Sequence, residues 1–357
     1  MTRVFLVGPL AHPALRTALS VDGREAVISG RLHGGAEAGI IAGGWPELVA
    51  APGDLPAVET GMTPELSRYA AVMGLKPLAH PQGQVLGAVE GAGQGAPWDA
   101  TRWLPELAAE IARLILEAPR DRPAAQIARR LPMLGIWADS RIRGRATPPS
   151  GGDLVPLRDS SDVRVTAREE PFAGYFAVET WHLSHRTHAG GFTPDMRREG
   201  FVTGDAVVVL PWDPKRDRVL LIEQFRMGPV MRHDPQPWLL EAVAGRVDAG
   251  ESVESAARRE ALEEADLRIG QLFQAMSHYP SPGALTEFLY LFVGIADLPD
   301  GIEGVHGLAD ETEDIRGHLV ERAELTRMAL AGQITNGPLA LLALWLDREA
   351  GRLRAAL

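Results

Sequence analysis

The chain has 357 residues, more than one ordinary core organises, so two domains are expected. A hydrophobic share of 45% and a charged share of 23% are those of a globular protein in water, and no apolar run approaches the roughly 20 residues that cross a bilayer, so no membrane partner is expected. With 36 basic against 47 acidic residues the net charge is −11, which argues against nucleic acid as the main partner. No cysteine is present, which excludes disulfides, thiolate catalysis and cysteine zinc sites and makes a cytoplasmic location the simplest expectation.

"MTRVFLVGPLAHP" reads as a strand rather than a targeting leader. Through residue 85, short β-like pieces alternate with Gly- and Pro-rich turns, as in a small α+β or barrel-like unit. "GAVEGAGQGAPWDA" (87–100) reads as a Gly-rich linker. Two helical stretches follow, with Leu104, Leu107, Ile111 and Ile115 near helical spacing. The basic, Pro- and Gly-rich "RIRGRATPPSGGD" (141–153) reads as a second linker, its arginines solvated rather than a phosphate patch.

From about 154 the texture changes to α/β. "YFAVETWHLSHRT" has a strand pattern, "DAVVVLPWDPKRDRVLLIEQF" a hairpin, and "EFLYLFVGIA" a further strand; "RAELTRMALAG" and "GPLALLALWLDREAGRL" read as closing helices. His182, His185 and His188 lie in one strand-like stretch with nothing acidic joining them, an ordinary half-exposed strand rather than a metal face. The expected division is 1–85, a helical linker region 86–153, and 154–357.

Between hairpin and strand lies "GRVDAGESVESAARREALEEADL" (245–267). At 100° per residue, Glu260, Glu263 and Glu264 share one side of a helix, beside a stripe of Ala257, Ala261 and Ala265 suited to close packing on a sheet. Glu260 and Glu264 repel each other by a few tenths of a kcal/mol, partly offset if Arg259 pairs with Glu263. Composition alone would make this a solvated face laced with Arg–Glu pairs. The spacing decides otherwise: Gly245, Glu251, Arg259-Glu260-Ala261-Leu262-Glu263-Glu264 and Leu267 stand at the offsets of the Nudix box, and the segment resembles that of the Nudix hydrolases. One position departs, since the family's helix-ending glycine is Asp266 here. Asp tolerates a left-handed backbone, so a slightly strained cap over an intact site is expected.

Over about 170–350 the chain is similar to the ADP-ribose pyrophosphatases, which carry a proline where Pro282 of "SPGALTE" stands and an acidic loop where "GVHGLADETEDIRGHLV" (304–320) stands. The resemblance implies a Nudix α/β/α sandwich and a site assembled as follows. Glu260 and Glu264 hold Mg²⁺ (Mn²⁺ as a substitute), with the Ala244 carbonyl and Glu263 assisting. Glu311 is the general base for the attacking water, Glu313 the alternative, and Arg259 belongs to the catalytic set. Arg226 holds a substrate phosphate, and Pro282 and Gly283 line the substrate. Arg198 and Glu199 reach the substrate from the partner of a homodimer with swapped segments, and Tyr175 stacks on adenine where the family has Phe. The implied reaction splits ADP-ribose into AMP and ribose 5-phosphate; the alternatives are another nucleotide sugar such as GDP-mannose, or a sensor that binds without hydrolysis.

"VFLVGPLAHPALRTALS" and "GMTPELSRYAAVMG" resemble the γ-glutamylcyclotransferase-like fold. The substrate-loop positions are Val7, Gly8, Pro9 and Leu10, two of them changed, and the catalytic Glu falls at Met73, which cannot carry a proton. The resemblance implies a degenerate mixed α/β barrel, with Glu65 or Glu90 poorly placed to substitute. Paired with an ADP-ribose hydrolase, such a domain resembles Nudix proteins associated with bacterial tellurite resistance.

Overall fold

In a computed structural model of the protein, which describes residues 3–148, 154–307 and 314–357, the opening apolar stretch forms β1 (Arg3–Val7). It is followed by α1 (Pro13–Ala18), β2 (Arg24–His33), β3 (Glu47–Gly61), α2 (Pro64–Val72), β4 (Leu78–His80), β5 (Gly83–Leu86) and β6 (Val89–Glu90). β1 is the centre of this sheet because Val4, Leu6 and Val7 are all buried. β3 flanks it antiparallel and β5 parallel, in the order β2-β3-β1-β5-β4, with β6 on β3. Gly87 is required where the chain leaves β5: φ is +108°, and a Cβ there would lie 2.5 Å from the Val7 carbonyl. The expected barrel is not closed by strand pairing among the described residues; instead the side chains of His80 and Gln82 reach across to the Ser29 backbone, at 2.9 and 2.8 Å.

Two expected linkers are structured. Residues 87–100 contribute β6, and the Trp98 amide donates to Leu32 O at 2.8 Å. After α3 (Pro105–Glu117) and α4 (Ala124–Ala128), α5 (Leu131–Ala146) takes up 141–146 of the stretch 141–153 read as a linker, of which 149–153 lie outside the described residues. The reason is charge pairing: Arg141 meets Glu117 at 3.0 Å, Arg143 meets Asp139 one turn back at 2.8 Å, and Arg145 meets Glu110 at 2.9 Å.

β7 (Val163–Ala173), β8 (Ala177–His185) and β9 (Met196–Val202) form a three-stranded antiparallel sheet. The chain divides into compact units Met1–Val202 and Thr203–Leu357, later than the boundary at 154 read from texture. Ion pairs account for the difference. Arg122 and Arg130 both reach Glu170 of β7, and Arg168 of β7 reaches Glu117 of α3, so the small sheet is held to the preceding helices.

The second unit is built on an eight-stranded mixed sheet. Its elements are β10 (Ala206–Asp213), β11 (Arg218–Phe225), α6 (Met227–Met231), β12 (Trp238–Glu241), β13 (Val243–Arg246), α7 (Val253–Ala265), β14 (Leu272–His278), β15 (Leu289–Ile295), β16 (Val305–His306), β17 (Ile315–Glu321), α8 (Arg322–Leu330) and α9 (Gly337–Ala355). Val207–Leu210 of β10 and Val219–Ile222 of β11 are apolar runs because both faces of the sheet are covered there. Val208, Leu210, Trp212, Val219 and Leu221 pack with Leu325 of α8 and with Leu339, Leu342 and Leu346 of α9. Val207, Val209, Leu220 and Ile222 pack with Ala257, Ala261 and Ala265 of α7. The alanine stripe thus lets α7 approach the sheet closely, and each large side chain so buried contributes about 1.5–3 kcal/mol. β10 runs parallel to β15 and antiparallel to β13, placing Gly245 opposite Val207 and Ala244 opposite Val208.

Candidate active site

α7 begins where Ser252 Oγ accepts from the Ser255 amide at 3.1 Å. It ends on Asp266 in the left-handed region, φ 49° and ψ 35°, with the Leu267 amide returning to Ala261 O at 3.0 Å. Between those ends its inner side carries Glu260 and Glu264, both buried, while Glu263 stays half-exposed.

Glu264 Oε2 accepts from the Ala244 amide at 2.9 Å, which fixes α7 against β13. Glu260 lies over Gly245 so closely that a Cβ on that glycine would sit 2.0 Å from the carboxylate. Burial pushes Glu260 up to about 7 against the pull of the Arg259 charge. Arg259 organises the acidic group: it donates to Glu260 at 2.7 Å, to Glu263 and Glu251 at 3.0 Å, and to Arg246 O at 2.9 Å. These contacts make Arg259 the internal counter-charge of the helix carboxylates.

The donor chemistry fits a hard divalent cation. Glu260 and Glu264 offer buried carboxylate oxygens on one side of α7, and Gly245 leaves room for the first of them, so a divalent charge there would offset the cost of burying them. Among the described residues no three acidic or histidine side chains converge on one point as an ion cage. Arg259 engages two of the helix carboxylates, and Glu311 and Glu313 lie outside the described residues.

Arg226 follows β11 directly, half-exposed, with its amide bonded to Pro237 O at 2.9 Å. Its Nε and Nη2 donate to Glu241 Oε2 at 3.0 and 2.6 Å. Glu241 is buried at the end of β12 and also accepts from Asn336 Nδ2 at 3.1 Å. Pro282 and Gly283 lie on an exposed turn closed by the Leu285 amide on Ser281 O at 3.0 Å. Glu287, just beyond, is raised by burial and by Asp205, while the charges of Arg246 and Arg226 pull it down.

Glu241, Glu287, Arg246 and Asn336 are members of this group that sequence reasoning passed over. Glu287 closes the quoted "SPGALTE" and was open to notice; Asn336 precedes a helix-opening Gly-Pro and reads there only as a cap.

The remaining predicted residues belong to the first unit. Tyr175 is exposed on the turn between β7 and β8, edge-on to Phe176 with centroids 5.0 Å apart. Arg198 and Glu199 are exposed neighbours on β9 and do not pair with each other: Arg198 donates to Arg197 O at 3.0 Å, and Glu199 takes Arg197 at 2.7 Å. His182 corrects the reading of the histidines, since cross-strand packing brings Asp195 to 3.5 Å and Glu169 to 3.8 Å. His185 turns instead to Arg186 O and His188 to Arg158, so the three do not converge.

Known proteins match part of the chain. A family model described as NUDIX domain matches residues 202–339. An ADP-ribose pyrophosphatase of Escherichia coli (strain K12) is 42% identical over 196 residues, 55% of this chain and 93% of the relative. That of Haemophilus influenzae is 35% identical over 195 residues, 54% and 89% of the two chains. A GDP-mannose pyrophosphatase of Enterobacter sp. (strain 638) is 30% identical over 151 residues, 42% and 78%.

Proposed function

The chain belongs to the Nudix family, in the company of the ADP-ribose pyrophosphatases, and from that premise we propose that it hydrolyses the pyrophosphate bond of ADP-ribose to give AMP and ribose 5-phosphate. The observation that carries the reading is the reach of the likeness: it runs over nearly the whole of the E. coli enzyme, far beyond the helix motif.

In this reading Glu260 and Glu264 hold a divalent cation, with Glu263 and the Ala244 carbonyl assisting. Their hard oxygen donors favour Mg²⁺, with Mn²⁺ able to substitute. When bound, such an ion neutralises phosphate oxygens and lowers the pKa of water from about 16 towards 7. The chain's own groups do the rest. Arg226, set by Glu241, holds a substrate phosphate. Glu311, or Glu313 beside it, accepts the proton as the water oxygen bonds to one phosphorus and the bridging oxygen leaves with the other. Arg259 holds Glu260 and Glu263 in place by donating to both. Arg198 and Glu199 serve the substrate from the partner of a homodimer, and Tyr175 stacks on adenine.

The test is a panel of nucleotide sugars, with product nucleotide measured in the presence and absence of EDTA, for the wild type and Glu264→Gln. Preferred, chelator-sensitive cleavage of ADP-ribose, lost in the folded variant, is expected. Preference for GDP-mannose would move the substrate to the runner-up, and ADP-ribose affinity without any cleavage would make the protein a sensor. A variant that turns over at the wild-type rate would sink the site.

For residues 1–85 we infer a cyclotransferase-like fold without that chemistry. Met73, at the position expected for the proton-carrying Glu, is buried at the end of α2. Release of 5-oxoproline from a γ-glutamyl dipeptide would overturn this.

A further inference from the structure

We propose that Asn336 is a positioning residue for Arg226, acting through Glu241 across three separate elements; this rests on the reading of Arg226 as the phosphate holder. Asn336 uses both ends of its amide. Oδ1 accepts from the Leu339 amide at 2.9 Å and so caps α9, while Nδ2 donates to Glu241 Oε1 at 3.1 Å. The other oxygen of Glu241 takes both Nε and Nη2 of Arg226.

The division of labour between the two carboxylate oxygens is what gives the arrangement its effect. The last torsion of a glutamate is soft, so a carboxylate held through one oxygen can swing. Asn336 bonds the second oxygen and thereby sets the plane of the carboxylate, which in turn sets which way the Arg226 guanidinium faces. Glu241 is buried, so water is a poor replacement for a missing donor. The backbone sets the distances: Phe225 pairs with Trp238 and Ile222 with Glu241, and the Arg226 amide extends that ladder onto Pro237 O. Helix cap, carboxylate and cation therefore form one chain, in which the first turn of α9 determines where a cation beside the candidate site points.

Capping and positioning can be separated, because Ser caps a helix about as well as Asn but is too short to replace the amide donor. In Asn336→Ser the thermal midpoint should hold within a few degrees, while kcat/KM for ADP-ribose falls about tenfold or more. In an Arg226→Ala background the same substitution should cost nothing further, because its effect runs through Arg226. Independently of turnover, the Nε–H signal of Arg226 in ¹⁵N NMR should exchange faster with solvent in Asn336→Ser than in the wild type. Additive losses in the double variant, or an unchanged Arg226 signal, would overturn the inference. Absence of turnover by the wild type would sink the proposed function instead, and the NMR comparison would still decide the positioning role.

Discussion

A methyl group on residue 245 would occupy the space of a carboxylate, which makes Gly245 the most sensitive small residue of the site. In Gly245→Ala, Glu260 must move by an ångström or more; a loss of about 100-fold in kcat with little change in the unfolding midpoint is expected, since misplacement on that scale typically costs that much. Steady-state kinetics alongside a melting curve would check it. Elsewhere in the second unit, Asp213 gives a cleaner titration. Burial alone would raise it, but the Arg216 amide and guanidinium and the Leu298 and Lys215 amides pull it down to about 2. Its folded pKa is thus below the unfolded one of 3.8, so its stabilisation is present above that value and is lost as pH falls through about 2. Asp213→Asn should cost about 2 kcal/mol near neutrality and less in acid, as urea unfolding at several pH values would show. Neither Glu241 nor Asn336 was legible as a site residue, because each acquires its partner only through strand pairing and helix docking, which no local pattern encodes. Gly245, Glu260 and Glu264 could be singled out beforehand because they stand at the fixed offsets of the Nudix box, a pattern that runs along the chain.

At the scale of elements, what depends on near neighbours could be read in advance. α7, its alanine stripe and the left-handed end at Asp266 follow from residues within a few turns, as does the hairpin of β10 and β11. Where the reading departed from the structure was in residues 87–100 and in the first six residues of the linker read at 141–153. Glycines and arginines look like punctuation and solvated charge until β3 or Glu110 and Glu117 are placed beside them. The cap yields a prediction of its own. Asp266 pays a backbone cost that glycine does not, so Asp266→Gly should stabilise the second unit by about 0.5–1 kcal/mol. Chemical denaturation followed by tryptophan fluorescence would register it, and a destabilised variant would mean that the Asp side chain contributes a bond of its own at the helix end.

For the molecule as a whole, two compact units imply two cooperative transitions, and one residue distinguishes them. Glu170 answers both Arg122 and Arg130, and burial followed by the charge of Arg122 lowers Arg130 to about 10. Glu170→Gln takes the shared carboxylate from buried Arg130 and half-buried Arg122 and should cost the first unit about 3 kcal/mol. Calorimetry should then show one transition displaced to lower temperature and the other unmoved; a joint shift would mean that the units unfold together.

The parallel pairing of β10 with β15 also bears on how the chain is made. A strand that emerges from the ribosome at residues 206–213 must wait for its partner at 289–295, and β11 must wait longer still for β17. Until α8 and α9 follow, one face of the hairpin, with Val208, Leu210, Trp212, Val219 and Leu221, lacks the helices that cover it. Pairings so distant in sequence close slowly, because the entropy of the intervening loop is lost before any contact compensates it. A chain halted in synthesis just short of Asn336 would already carry all three helix carboxylates, yet α9 would be missing and Glu241 would lack the Asn336 amide, so the second unit needs protection until its last helix is made.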